Sequence, residues 1–84
     1  RYPPPFKENA SSEYTLPEAG QVYLEITSIL GNRIRLISNQ PQAEGEYSTT
    51  LEGSKLVPGV YMITLRFTNQ FGSELTKTLR MVKQ

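Results

Sequence analysis

The 84-residue chain lacks several residue types on which common catalytic and metal-binding chemistry depends. It contains no histidine, no cysteine, no tryptophan and no aspartate, so all eight of its acidic residues are glutamates. These absences exclude cysteine and histidine nucleophiles, Ser-His-Asp triads, Cys/His zinc sites and disulfide frameworks. We therefore expect a protein that is not an enzyme and that holds neither a cofactor nor a metal.

The charge of the chain is close to balanced but unevenly distributed. A net charge of +1 argues against a nucleic-acid partner or a polybasic membrane surface. Residues 1–52 hold seven glutamates and four basic residues, whereas residues 53–84 hold one glutamate and five basic residues. No apolar run approaches the roughly 20 residues that span a bilayer. Because the chain begins at Arg1 without a signal peptide, we expect a segment cut from a longer precursor.

The N-terminal segment has the composition of a linker. Consecutive prolines at positions 3–5 hold the backbone near polyproline II, so residues 1–11 are predicted to form a stiff spacer from a preceding domain. A polyproline ligand for an aromatic-lined groove is the alternative. We expect Phe6 to fold back onto the domain that residues 12–84 form.

Within residues 12–84, apolar and polar residues alternate, and turn residues interrupt the alternation every eight to twelve positions. This pattern predicts an all-β domain, an antiparallel sandwich or barrel, because no stretch has the apolar spacing of a helix. The predicted strands are 12–16, 21–29, 33–37, 45–51, 60–68 and 74–83. Residues 38–44, with Pro41, are predicted to form a loop that connects the two sheets or a poorly ordered edge. Gly31 and Asn32 are predicted to form a tight hairpin turn in which both are left-handed.

The alternation also predicts which side chains face the core. Glu25, Arg33 and Arg35 are expected to face water. The expected core residues are Tyr14, Leu16, Val22, Leu24, Ile26, Ile34, Leu36, Tyr47, Thr49, Leu51, Tyr61, Ile63, Leu65, Phe67, Leu75, Leu79 and Met81.

Several separated blocks of the sequence resemble the C-terminal sorting domains of the bacterial type IX secretion system of Bacteroidetes. The blocks are Tyr2–Phe6, Leu16–Gly20, Leu30–Gly31, Gly45–Tyr47, Leu56–Tyr61 and Lys77–Gln84. They occur in the family's order and cover nearly the whole chain. One departure is Pro4, where the family usually has asparagine between prolines.

The resemblance implies an immunoglobulin-like antiparallel β-sandwich of about seven strands that serves as an address label. It implies a cargo that is exported from the periplasm across the outer membrane, to the cell surface or the medium. The implied partners are the outer-membrane translocon and its shuttle proteins, a sortase and an N-terminal cargo domain. In the family, the sortase commonly removes the domain and attaches the cargo to surface lipopolysaccharide.

The resemblance implies two functional segments, one for recognition and one for cleavage. The recognition segment is the C-terminal strand, near which the family carries its signal. An exposed terminal strand can also pair with a partner's sheet edge. Its candidate residues are Lys77, Leu79, Arg80, Met81, Val82, Lys83 and Gln84. The alternative is that these cations only discourage aggregation of an edge strand. The second is the linker that a sortase would cut, formed by Arg1, Tyr2, Pro3, Pro4, Pro5 and Phe6.

Other motifs favour structural interpretations. Pro58, Gly59 and Tyr61 are typical of a tyrosine corner, in which a hydroxyl bonds to upstream backbone. Arg33 and Arg35 could grip an anion, but a solvated strand face is the favoured interpretation. The range Glu44–Glu46 lacks the aspartates of a calcium cage, and the adjacent Ser54 and Lys55 are poorly placed for nucleophilic chemistry.

Two further functions stay open from the sequence. A binding module for carbohydrate or a surface protein is disfavoured by the absence of tryptophan, although five tyrosines partly substitute. An inert spacer is the third class. In each case, an edge-exposed sandwich carries a risk of dimerisation by strand exchange.

Overall fold

The computed structural model describes residues 4–84, which form six β-strands and one short 3-10 helix. The strands are β1 Asn9–Leu16, β2 Gly20–Ser28, β3 Arg33–Gln42, β4 Gly45–Glu52, β5 Gly59–Asn69 and β6 Glu74–Lys83, and the 3-10 helix is Gly53–Lys55. No helix in this part of the chain is long and apolar enough to cross a membrane. The all-β prediction is confirmed, with six strands where the resemblance implied about seven.

The strands form two antiparallel sheets of unequal size. A small sheet pairs β1 with β4, and a large sheet has the order β3-β2-β5-β6. The predicted antiparallel sandwich is confirmed. Because alternate residues of a strand point to opposite faces, the apolar residues of the central strands β2 and β5 lie between the sheets. Within the described residues, the buried apolar side chains are Phe6, Leu16, Val22, Leu24, Ile26, Leu51, Leu56, Tyr61, Ile63, Phe67 and Met81.

Strand β3 departs from the predicted alternation. Ile34 and Leu36, expected in the core, are 47% and 43% exposed. The β2–β3 ladder shifts register after Leu24 and again after Ile26, which adds a residue to β3 each time. Each such bulge moves the following side chains to the other face of the sheet. Ile37 packs against the core instead.

The same bulges separate Arg33 from Arg35. Arg33 lies opposite Thr27, while Arg35 lies opposite the buried Ile26, so the two side chains occupy opposite faces. Arg35 reaches across the sandwich, where its Nη1 donates a hydrogen bond of 3.2 Å to the Glu52 carbonyl. The prediction that both arginines share one solvated face is wrong.

The connecting loop predicted at residues 38–44 is also wrong, because β3 continues to Gln42. Of the two alternatives, the position at a sheet edge is the one observed. Pro41 lies within the strand, opposite Gln21. A proline is tolerated there because β3 is an edge strand, where a missing N–H costs no pairing on the open side.

The β2–β3 hairpin has a longer turn than predicted. Ser28 N–H donates to the Asn32 carbonyl at 2.8 Å, and Gly31 N–H donates to the Ser28 carbonyl at 2.9 Å. Gly31 has a φ of +91°, whereas no described non-glycine residue has a positive φ. Residues 29–31 therefore form the loop, and only Gly31 adopts the left-handed conformation.

The first strand begins at Asn9 rather than at Ser12, so residues 9–11 of the predicted linker pair with β4. Phe6 is buried, which confirms that it folds back onto the domain. The N-terminal segment passes close to Gly53, whose N–H donates to the Glu8 carbonyl at 2.5 Å. Glycine permits this close approach, because a Cβ at position 53 would lie 2.9 Å from a ring carbon of Phe6.

The packing predicts that the same substitution, isoleucine to valine, lowers the free energy of unfolding by different amounts at two positions. Ile26 is fully buried between the sheets, whereas Ile29 lies exposed in the β2–β3 loop. Ile26→Val should lower the free energy of unfolding by about 1 kcal/mol, because it leaves a methyl-sized cavity. The control Ile29→Val should change it little. Urea unfolding of both variants measures the difference, and equal effects would contradict this core.

Candidate functional site

Strand β6 forms one edge of the large sheet. It pairs with β5 along its whole length, and its inner face carries Leu75, Lys77, Leu79 and Met81, as predicted. Only Met81 of these apolar residues is buried, while Leu75 and Leu79 are 52% and 37% exposed. The expectation that all three belong to the core is wrong, because the two-stranded sheet does not extend over most of β6.

Within the described residues, no strand pairs with the first half of β6 on the side away from β5. At the C-terminal end, Phe6 N–H donates to the Val82 carbonyl at 3.0 Å, and Gln84 N–H donates to the Phe6 carbonyl at 2.8 Å. The N–H and carbonyl groups of successive residues in a strand point to opposite sides of the strand. The even-numbered residues of β6 therefore direct these groups away from β5, towards the edge of the sheet. Thr76 and Thr78 therefore direct their N–H and carbonyl groups to this edge, where no described strand pairs with them.

An open apolar groove lies between the edge strands β1 and β6. Its larger part has a volume of about 510 Å³, and an adjoining hollow has about 230 Å³. The apolar lining consists of Tyr14, Leu16, Pro17, Leu24, Ile63, Leu65, Phe67, Leu75 and Leu79. The groove thus continues the hydrophobic core to the surface along the unpaired side of β6.

The charged lining of this groove is mostly acidic. Glu13 and Glu18 border it from the side of β1, and Glu74 borders it at the start of β6. Lys77 is the one basic residue among the described lining of both parts. Three carboxylates against one ammonium group favour a cationic occupant.

A comparison with protein-family models identifies the type of domain. The family model of the secretion system C-terminal sorting domain matches residues 1–79. The chain belongs to this family of type IX sorting domains. No curated protein and no solved structure was found to match it.

Membership in the family confirms the resemblance seen in the sequence. A type IX sorting domain is a C-terminal secretion signal, attached to an N-terminal cargo, that directs export across the outer membrane to the cell surface or the medium. It acts together with the type IX secretion machinery, and the family is not one of enzymes. The match ends at residue 79, so it does not extend over residues 80–84 of the candidate recognition segment.

The three cations of the recognition segment do not form one patch in the sorting domain. Lys77 lies on the inner face beside the groove, whereas Arg80 lies on the outer face, opposite Met62. Lys83, at the end of β6, donates from Nζ to the Gln84 carbonyl at 2.9 Å. The segment therefore offers an edge with separated charges rather than a single cationic site.

The other predicted recognition residues divide between packing and exposure. Met81 is buried in the core, and Val82 is half-buried opposite Val60. Of the predicted cleavage linker, Arg1, Tyr2 and Pro3 lie outside the described residues. Pro4 and Pro5 are exposed, whereas Phe6 is buried.

The Tyr61 motif occupies the turn that leads into β5. The Tyr61 hydroxyl donates to the Val57 carbonyl at 2.5 Å. Between them, Gly59 has a φ of +156°, a conformation that residues with a side chain rarely adopt. In the described part of the sorting domain, no group of three or more acidic side chains is placed to hold a metal ion.

A charged cluster on the outer face of the large sheet was missed from the sequence. Glu25, expected to face water, is only 7% exposed. Its carboxylate accepts hydrogen bonds from the Tyr23 hydroxyl at 2.8 Å, from Arg33 Nε at 3.2 Å and from Arg66 Nη2 at 3.4 Å. Both guanidinium groups also lie over the Tyr23 ring, 5.7 Å and 5.0 Å from its centroid. Residues from three neighbouring strands thus enclose one carboxylate.

This environment lowers the pKa of Glu25. The largest cause is the hydrogen bond from Tyr23, and burial acts in the opposite direction. The hydrogen bond and charge of Arg33, together with the charge of Arg66, lower the pKa further. The ionised carboxylate is therefore favoured in the folded domain relative to the unfolded chain.

The lowered pKa of Glu25 predicts a pH-dependent contribution to stability. The contribution is complete above the glutamate pKa of the unfolded chain and is lost as the pH falls through the lower folded pKa. Glu25→Gln should therefore reduce stability more at pH 7 than at pH 3, as measured by urea unfolding. The exposed control Glu46→Gln should change little at either pH. A penalty for Glu25→Gln that is the same at both pH values would contradict the prediction.

Proposed function

We propose that this sorting domain is recognised through β6, and that the outer-membrane translocon or its shuttle proteins contact the free edge of this strand. The proposed contact segment is Lys77, Leu79, Arg80, Met81, Val82, Lys83 and Gln84. The observation that carries the proposal is that β6 is an edge strand with exposed apolar side chains, and that no described strand pairs with the free side of its first half.

Some residues of this segment are accessible to a partner, and others are held by contacts within the domain. Lys77 and Leu79 line the groove, so they are accessible to a partner. Met81 packs in the core, and the Val82 carbonyl and Gln84 N–H are bonded to Phe6. Within the segment, Met81, Val82 and Gln84 therefore contribute by holding the end of β6 in place, while its exposed residues touch the partner.

We also propose that the domain is removed after export and that the cargo is anchored at the cell surface. The sortase cuts before Phe6, within residues 1–5, and transfers the cargo to surface lipopolysaccharide. Exposure of Pro4 and Pro5 supports a cut on this side, because a protease needs accessible backbone. Phe6 is buried and bonded to β6, so the backbone there is not accessible.

The proposal predicts that the chain suffices to export a foreign protein. Residues 1–84 are fused to the C-terminus of a folded, periplasm-directed reporter, in hosts with and without the type IX translocon. The reporter should reach the surface or the medium only when the translocon is present. The N-terminus of any released domain, read by sequencing, should lie within residues 2–6.

Point substitutions locate the signal better than truncation, because deletion from Lys77 would also remove the buried Met81. Leu79→Gln should reduce export, because it removes an exposed apolar side chain that lines the groove. The matched control, Ile29→Gln in the β2–β3 loop, also replaces an exposed apolar side chain and should leave export unchanged. A folded fusion that stays in the periplasm of both hosts would contradict the proposal and favour a binding module or a spacer.

A further inference from the structure

We propose that the free edge of β6 and the adjoining groove take up one extended segment of a partner protein, which adds to the large sheet as a further strand. The segment is apolar at alternate positions and basic at its ends. This inference rests on the proposed function, since it names the kind of partner that the recognition strand binds.

The structure already contains the first step of such pairing. Phe6 pairs with Lys83 in the parallel sense, donates its N–H to the Val82 carbonyl and accepts a hydrogen bond from the N–H of Gln84, which follows β6. In a parallel ladder, the next linker residue whose N–H faces β6 is two positions upstream, at Pro4. A proline has no N–H, so Pro4 cannot donate to β6 as Phe6 does. The edge of β6 is thus competent for pairing, and no strand within the described residues pairs with its first half.

The groove determines what the side chains of an added strand would be. Neighbouring strands lie about 4.8 Å apart and their side chains alternate between the two faces. Every second side chain of the added strand would therefore enter the groove and cover Leu75, Leu79 and the half-buried Tyr14. Apolar side chains at these positions would extend the core, whereas the intervening side chains would face solvent.

The charge around the groove determines the ends of the added strand. Glu13, Glu18 and Glu74 border the groove, and Lys77 is the only cation in its described lining. Like charges repel across an interface, so an acidic segment would be rejected. A segment with basic residues beside an apolar centre is complementary.

A synthetic peptide, Lys-Leu-Thr-Val-Thr-Leu-Thr-Val-Lys, is the probe, and calorimetric titration of the 84-residue chain measures its binding. Two N-methylated forms, one methylated at the threonines and one at the apolar residues, report the direction of pairing. In an antiparallel pair the threonine N–H groups face β6, and in a parallel pair those of the apolar residues do. One form should bind about tenfold more weakly or worse, and the other nearly normally.

Variants of the domain test the same pairing from its own side. Thr76→Pro removes an N–H that faces the free edge and no bond to β5, so the fold should persist, as thermal unfolding checks. It should weaken peptide binding by about tenfold, whereas Thr76→Val should not. Independently of any effect of proline on folding, Glu13→Lys with Glu74→Lys should weaken binding, and the control Glu46→Lys on β4 should not.

Several outcomes would overturn the inference. They are absence of binding, equal loss with both methylated peptides, unchanged binding by Thr76→Pro, and sedimentation showing that a second copy of the chain occupies the edge. If the peptide fails while export still depends on β6, the inference is wrong and the proposed function stands. If export does not depend on the translocon, the proposed function is wrong whatever the peptide does.

Discussion

The small sheet of this domain, β1 paired with β4, has too little surface to cover the four strands of the large sheet. The central strands β2 and β5 lie beneath it and supply much of the core. Strand β6 lies mostly outside this cover, so its apolar inner face meets solvent at Leu75 and Leu79. Phe6 compensates at one end only, where it packs against the core and pairs with the end of β6. The open side of the sandwich is thus a consequence of unequal sheets.

An open strand edge is a hazard for most proteins, because it can pair with any other exposed strand. In our proposal, the same property serves a secretion signal, because main-chain hydrogen bonds along the edge would give affinity and alternate side chains specificity. The glutamates beside the groove would then restrict the choice of partner by charge. The Glu25 cluster lies on the opposite face of the large sheet, where it links β2, β3 and β5 without occupying the edge.

The sequence predicts the strands whose side chains alternate regularly, which are β1, β2, β4, β5 and β6. It fails at β3, because two bulges change the faces of Ile34 and Leu36 without any residue that marks them. Pro41 indicates a loop, yet an edge strand accommodates it. Alternation predicts the face of Leu75 and Leu79 but not what covers that face, since the extent of the opposite sheet is a property of the whole fold.

The Glu25 cluster was missed for a related reason. The alternation places Tyr23 and Glu25 on one face of β2. Their partners are Arg33, which lies across the hairpin, and Arg66, which lies on β5. Only the strand order brings these residues together. The family, by contrast, was suggested by separated motifs in the family's order, and the match over residues 1–79 confirmed it. The recognition segment on β6 stays a proposal.

The central claim, an unpaired edge on β6, is tested most directly by amide hydrogen exchange measured residue by residue in the free domain. The N–H groups of Lys77 and Leu79 face β5, whereas those of Thr76 and Thr78 face the open side. Exchange should therefore alternate along β6, slow at Lys77 and Leu79 and nearly unprotected at Thr76 and Thr78. Uniform protection of all four amides would show that the edge is covered and would contradict the account.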